Sequence, residues 1–128
     1  MRYVLIAEDD PDVAELLRQV LRSRLDVATE AVANGALVMD ALVTRRPDLL
    51  ILDIDLPGLN GLDVFDLVRN DRHWHGVPIL FLTATPEKAS TANASTGVHE
   101  ILAKPFDVDS LLSTAERLMD GARPEVAA

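Results

Sequence analysis

The 128-residue chain contains no cysteine, which excludes both a disulfide framework and a thiolate metal site. Aromatics are scarce, with three Phe, one Trp and one Tyr. That is too few for a base-stacking surface or a sugar-binding platform. Positive charge is also short: 12 Lys and Arg face 21 Asp and Glu, for a net charge of −9. Phosphate-reading surfaces need clustered cations, so direct nucleic-acid binding is not expected. Cations and basic protein surfaces are the natural companions. No apolar run approaches the ~20 residues of a membrane span, and the N-terminus enters a short strand instead of a signal peptide. A cytoplasmic protein with no membrane partner is the expectation.

The chain does have 48% hydrophobic residues, enough at this length for one domain that buries roughly two thirds of its unfolded surface. Its organising stretch is Leu49-Leu50-Ile51-Leu52-Asp53, four aliphatics running into a carboxylate, followed by Pro57 and Gly58. An apolar run without polar alternation suits a strand covered on both faces, as in a parallel sheet. Similar strands are expected over Tyr3–Ala7, Val27–Val32, Val77–Leu82 and Glu100–Ala103. Helices are expected between them. The first is started by Asp10-Pro11-Asp12 and carries Val13, Leu16, Leu17, Val20, Leu21 and Leu25 on one face. A second covers Ala36–Arg46, with Leu37, Val38, Ala41 and Leu42 inward. A third covers Leu62–Asn70, burying Leu62, Phe65 and Val68. A fourth, Glu87–Thr96, has no large apolar anchor. The last, Val108–Met119, stops at Gly121, and Ala122–Ala128 reads as a tail or the start of a linker. Five strand–helix alternations imply a parallel sheet with helices on both faces.

In such sheets ligands gather at the carboxyl ends of the strands. Those ends here deliver Glu8 and Asp9, Asp53, Thr83 and Lys104. Each alone has an ordinary explanation: an acid capping the next helix, a threonine in a turn, a solvated lysine. Together they are chemically complementary. Crowded carboxylates repel unless a cation or proton neutralises them, and magnesium takes carboxylates together with phosphate oxygens. A carboxylate such as Asp53 can carry a phosphoryl group. Lys104 and Thr83 can then hold the remaining phosphate oxygens.

The ordered motifs Ala7-Glu8-Asp9-Asp10, Leu52-Asp53-Ile54-Asp55-Leu56-Pro57-Gly58-Leu59-Asn60-Gly61, Leu82-Thr83-Ala84 and Lys104-Pro105-Phe106 resemble the receiver domain of bacterial two-component response regulators. The resemblance runs from about Arg2 to Gly121. It implies a flavodoxin-like (βα)5 fold with strand order 2-1-3-4-5. It also implies a phosphoacceptor at Asp53 and a magnesium ion held by Glu8, Asp9, Asp53 and the backbone carbonyl of Asp55. Thr83, with Ala84 beside it, becomes the switch hydroxyl, and Lys104 the phosphate-binding cation. Asp55 and Thr85 fall where access of the hydrolytic water is tuned. The implied partners are a sensor histidine kinase or histidine phosphotransfer protein and a downstream protein. A homodimer through the face of the fourth and fifth helices is a further expectation. The domain is expected to be a signalling module that catalyses its own phosphorylation and dephosphorylation, not an enzyme acting on other substrates.

One departure from the family pattern is Ile101, where an aromatic often reports activation. The outer face of the first helix, with Glu15, Arg18, Gln19 and Arg22, is a partner surface on this resemblance. His73-Trp74-His75 is read as a surface loop, not a metal site. Two competing readings are a phosphorylation-independent interaction module with the same fold, and a magnesium-dependent phosphatase with an aspartyl nucleophile. The second normally requires a substrate-enclosing cap, for which no segment is long enough.

Overall fold

Strands with no polar face need cover on both sides, and this requirement organises the molecule. A computed structural model describes residues 1–89 and 99–121. The elements are β1 (Arg2–Ala7), α1 (Pro11–Arg24), β2 (Val27–Val32), α2 (Gly35–Thr44), β3 (Leu49–Leu52), α3 (Gly61–Arg69), β4 (Ile79–Thr83), α4 (Pro86–Ala89), β5 (His99–Ala103) and α5 (Val108–Gly121). The five strands form one sheet in the order β2-β1-β3-β4-β5, all neighbours parallel. This is the order the sequence resemblance implied.

Alternation along each strand divides the core in two. Tyr3, Leu5, Leu50, Leu52 and Phe81 point to one face and meet Val38 and Leu42 of α2 and Val64, Phe65 and Val68 of α3. Val4, Ile6, Leu49, Ile51, Leu80 and Leu82 point to the other, against Leu17 and Leu21 of α1 and Leu111, Ala115 and Leu118 of α5. The register pairs Val4 with Leu49 and Ala7 with Leu52. The residues that follow, Glu8 and Asp53, therefore leave the sheet at the same level.

Helix starts follow local chemistry. The Asp10 side chain accepts from the backbone N–H groups of Asp12 and Val13, with Pro11 in the first turn. Asn34 and Asn60 cap α2 and α3 in the same way, through Leu37 N–H and Asp63 N–H. Each stands directly before a glycine, a pairing that fits a turn as well as a helix cap. An Asn side chain can satisfy either role, and the helical backbone that follows decides which.

Several inward assignments are corrected. Leu16 is 47% exposed and Leu37 43%. Each lies about 100° around its helix from a fully buried neighbour, Leu17 or Val38, so an apolar stripe drawn too wide captured both. Leu62 is half-buried, while Val64 and the charged Arg69 join Phe65 and Val68 on the buried face of α3. Gly121 is the last residue of α5 rather than the stop beyond it. Of the expected fourth helix the described part is Pro86–Ala89, with Ala89 fully buried. The remainder of that segment, and the tail from Ala122, lie outside the described residues. Among the described residues no helix is long and apolar enough to cross a membrane.

Candidate functional site

The carboxyl ends of β1, β3, β4 and β5 bring Glu8, Asp53, Thr83 and Lys104 together. Main-chain bonds carry the ladder past the strand ends. Glu8 N–H donates to Val32 O at 3.0 Å, Asp53 N–H to Ala7 O at 3.1 Å and Lys104 N–H to Thr83 O at 2.8 Å. Each functional side chain is thus held by its neighbour's backbone.

Glu8, Asp53 and Thr83 are buried, and Asp9 is exposed at the mouth of the site. One carboxylate oxygen from each of Glu8, Asp9 and Asp53 lies within 4.8 Å of the other two. Lys104 Nζ reaches both buried acids: it stands 3.0 Å from Asp53 Oδ2 and is also paired with Glu8 Oε1. Asp53 Oδ1 accepts from Asp55 N–H at 3.2 Å, and Glu8 Oε2 accepts from Asp10 N–H at 3.1 Å. Both oxygens of each buried acid therefore have a donor.

The electrostatics follow from burial. Desolvation pushes the Glu8 carboxyl above its usual range, and the Asp53 charge adds to the rise. Bonds from Lys104 and Asp10 N–H oppose it without cancelling it. Burial by itself would lower the Lys104 ammonium, but its hydrogen bonds to Glu8 and Asp53 and their negative charges outweigh that, so the net shift is upward. Lys104 is thus firmly cationic at neutral pH.

The other predicted residues fall around this centre. Thr83 is fully buried at the end of β4. Its hydroxyl lies 3.1 Å from that of Thr85 and accepts from Thr85 N–H at 3.1 Å. Ala84 is exposed between them. The Asp55 side chain pairs with the loop after β4 and the start of α4: it accepts from the Thr85 hydroxyl at 3.0 Å and lies 3.3 Å from Lys88 Nζ. Lys88 was not singled out by sequence, because a lone lysine on a helix has no distinguishing pattern. Ile101 is partly buried and packs against the α2–α3 side of the core. His73 and His75 are exposed in the loop after α3, whereas Trp74 packs on the core.

Two glycines shape the loop after β3. A Cβ at Gly61 would lie 2.2 Å from Asp53 O, and one at Gly35 would lie 1.8 Å from Leu59 O. Close approach of distant backbone leaves no local signal in the sequence.

Three carboxylates, hard oxygen donors at mutually short range, suit a magnesium ion. The chain's relatives agree with that chemistry. The response regulator receiver domain family matches residues 4–116. The DNA-binding response regulator MtrA of Mycolicibacterium smegmatis is 36% identical over 111 residues, covering 86% of this chain and 47% of MtrA. The response regulator protein PmrA of Pseudomonas aeruginosa is 41% identical over 118 residues, covering 90% of this chain and 51% of PmrA. The chain thus spans about half the length of these curated relatives. The receiver domain of a Pseudomonas aeruginosa sensor histidine kinase, solved with magnesium coordinated in its active-site cleft, superposes with a TM-score of 0.81 at 28% identity over 93% of this chain and 98% of that one. TrrA of Thermotoga maritima, in complex with Mg2+ and BeF, gives 0.81 at 27% identity over 92% of this chain and 99% of TrrA. With the sheet order, the acidic cluster and the strand-end threonine and lysine all in place, this chain belongs to the response regulator receiver domain family.

Proposed function

We propose that this domain is a phosphorylation switch in which Asp53 accepts a phosphoryl group from a phosphohistidine on a kinase or phosphotransfer protein. The observation that carries the reading is the convergence of Glu8, Asp9 and Asp53 within 4.8 Å, with Lys104 and Thr83 at their edge. The carboxylates of Glu8, Asp9 and Asp53 and the backbone carbonyl of Asp55 would hold magnesium. When bound, the ion neutralises crowded carboxylate and phosphoryl charge.

The chain's own residues do the rest. An Asp53 carboxylate oxygen attacks phosphorus, and the P–N bond to the donor imidazole breaks, leaving the electron pair on the imidazole nitrogen. Asp55 N–H and Lys104 hold the two Asp53 oxygens and so orient the nucleophile. Lys104 also supplies a fixed positive charge for the transferring group. Thr83 can donate its hydroxyl proton to a phosphoryl oxygen, drawing the loop after β4 toward the site. Shifting such a two-state element from ~1% to ~99% needs about 5.5 kcal/mol of differential stabilisation. A few charge-assisted hydrogen bonds of about 1.5–3 kcal/mol each are of that order.

An open apolar groove beside the site supports a protein donor. Val13 and Leu16 of α1 face Pro105, Phe106 and Val108 across about 520 Å³, with Lys104 at one edge. A helix of the phosphodonor seated there would cover Leu16 and place its phosphohistidine near Asp53. Such a switch operates in the cytoplasm, with a downstream protein reading the shifted loop.

The deciding experiment is incubation with magnesium and a small acyl phosphate, followed by intact-mass and peptide analysis. One added phosphate on Asp53, absent in Asp53→Asn and without magnesium, is the expected result. An unmodified chain that also binds no beryllofluoride overturns the reading.

A further inference from the structure

The polar groups between the loops after β3 and β4 form a chain whose direction is set by counting protons. The Thr85 hydroxyl donates to Asp55 Oδ2 at 3.0 Å. A carboxylate has no proton to offer, and a threonine hydroxyl has one. With that proton committed to Asp55, Thr85 Oγ1 can only accept in its 3.1 Å contact with Thr83 Oγ1. Thr83 is therefore the donor in that contact. The proton that Thr83 would offer to a phosphoryl oxygen on Asp53 is engaged by Thr85 instead. Backbone geometry reinforces this, because Thr85 N–H donates to Thr83 Oγ1 at 3.1 Å. Lys88, 3.3 Å from Asp55 Oδ1, helps hold the carboxylate at the far end.

We propose that Asp55 and Thr85 form a latch that holds the Thr83 hydroxyl in the resting arrangement and thereby sets the threshold of the switch. The inference rests on Asp53 being the phosphoacceptor, and goes beyond it by assigning the resting state to a named hydrogen-bond chain. Activation exchanges one bond: Thr83 Oγ1–H leaves Thr85 Oγ1 and turns to a phosphoryl oxygen, while Thr85 keeps its donation to Asp55. Thr85 acts only through Thr83, as a positioning residue. Removing its hydroxyl frees the Thr83 proton without touching the acceptor.

The test is calorimetric titration of the full chain with beryllofluoride in excess magnesium. This mimic reports the switch equilibrium without hydrolysis of an acyl phosphate. Thr85→Val should bind roughly three- to ten-fold more tightly than the unaltered chain, the equivalent of one neutral hydrogen bond. Thr85→Ser keeps the hydroxyl and should match the unaltered chain. The double variant Thr83→Val/Thr85→Val should bind no more tightly than Thr83→Val alone, since the gain passes through Thr83. Thermal melts check folding, and Thr85→Ala replaces Thr85→Val if the latter does not fold. Unchanged or weaker binding by the folded Thr85 variant, or an equal gain in the Thr83→Val background, overturns the latch. Failure of the phosphoacceptor reading is separately visible, because the unaltered chain would then bind no beryllofluoride and take no phosphate on Asp53.

Discussion

Gly61 stands against the main-chain carbonyl of Asp53, with no room for a methyl group between them. A Cβ there would lie 2.2 Å from Asp53 O and 2.7 Å from Ile54 Cα, while Gly61 N–H donates to Ile54 O at 2.8 Å. Both obstacles are backbone and cannot swing aside. Gly61→Ala should therefore push the segment carrying Asp53 out of place. We expect a loss of about 2–3 kcal/mol in stability by urea unfolding and slower phosphate incorporation from acyl phosphate. A variant with unaltered stability would show that the loop yields more easily than this packing implies.

Lys104 is the cation shared by Glu8 and Asp53. Lys104→Met leaves two buried carboxylates facing each other without it. Losing one partner of a fully buried pair costs about 3–5 kcal/mol. Because Lys104 keeps some solvent contact, the expected loss is nearer 1–3 kcal/mol. Magnesium should restore more stability to the variant than it adds to the unaltered chain. Thermal melts with and without magnesium measure both effects, and equal shifts in the two proteins would contradict the shared-cation arrangement.

Arg69 is a buried charge that holds a loop. Its Nη1 donates to His75 O at 3.0 Å and Val77 O at 2.8 Å, and its guanidinium lies 4.9 Å from the Phe65 ring centroid. Burial pulls its pKa down to about 10, so it remains charged at neutral pH. Arg69→Met should strand two carbonyls and cost about 2–4 kcal/mol. Arg69→Lys should recover only part of that, because an ammonium lacks the planar fork. Urea unfolding of the three proteins tests the order.

Tyr3 gives a pH signature. Burial, and then its 3.1 Å hydrogen bond to Glu30, raise the phenol from 10.0 to about 12. Between those values the folded chain keeps a proton that the unfolded chain releases. The Tyr3 contribution to stability is therefore complete below about pH 10 and is lost as pH rises toward 12. Unfolding free energies across pH 9–12 should fall more steeply for the unaltered chain than for Tyr3→Phe. Parallel curves would contradict the buried, hydrogen-bonded phenol.

Much of the candidate site's placement was legible because its groups sit at strand ends. The run Leu49–Leu52 announces a buried strand, so Asp53 must stand where it emerges. The same logic places Glu8, Thr83 and Lys104. The helix starts at Asp10 and Pro11 were equally readable, since a cap acts within one turn. What misled was the width of the apolar stripe. Leu16 and Leu37 match the periodicity of their helices but lie at its margin, and Leu16 lines the groove beside Lys104. Arg69 carried no such signal at all. A charged residue on α3 reads as surface until the carbonyls of His75 and Val77 turn back to meet it.

The sequence by itself determined the strand–helix alternation and the strand-end chemistry, because run length, periodicity and capping are encoded within a few residues, and its four ordered motifs carried the resemblance to the family. Only the tertiary structure decided how those groups are paired. Lys104 lies between Glu8 and Asp53, the Asp55 side chain belongs to Thr85 and Lys88, and Gly35 meets the backbone of Leu59. These pairings join residues far apart along the chain. Sheet register brings them within reach, and the competition among donors and acceptors then selects partners in a way no local pattern records.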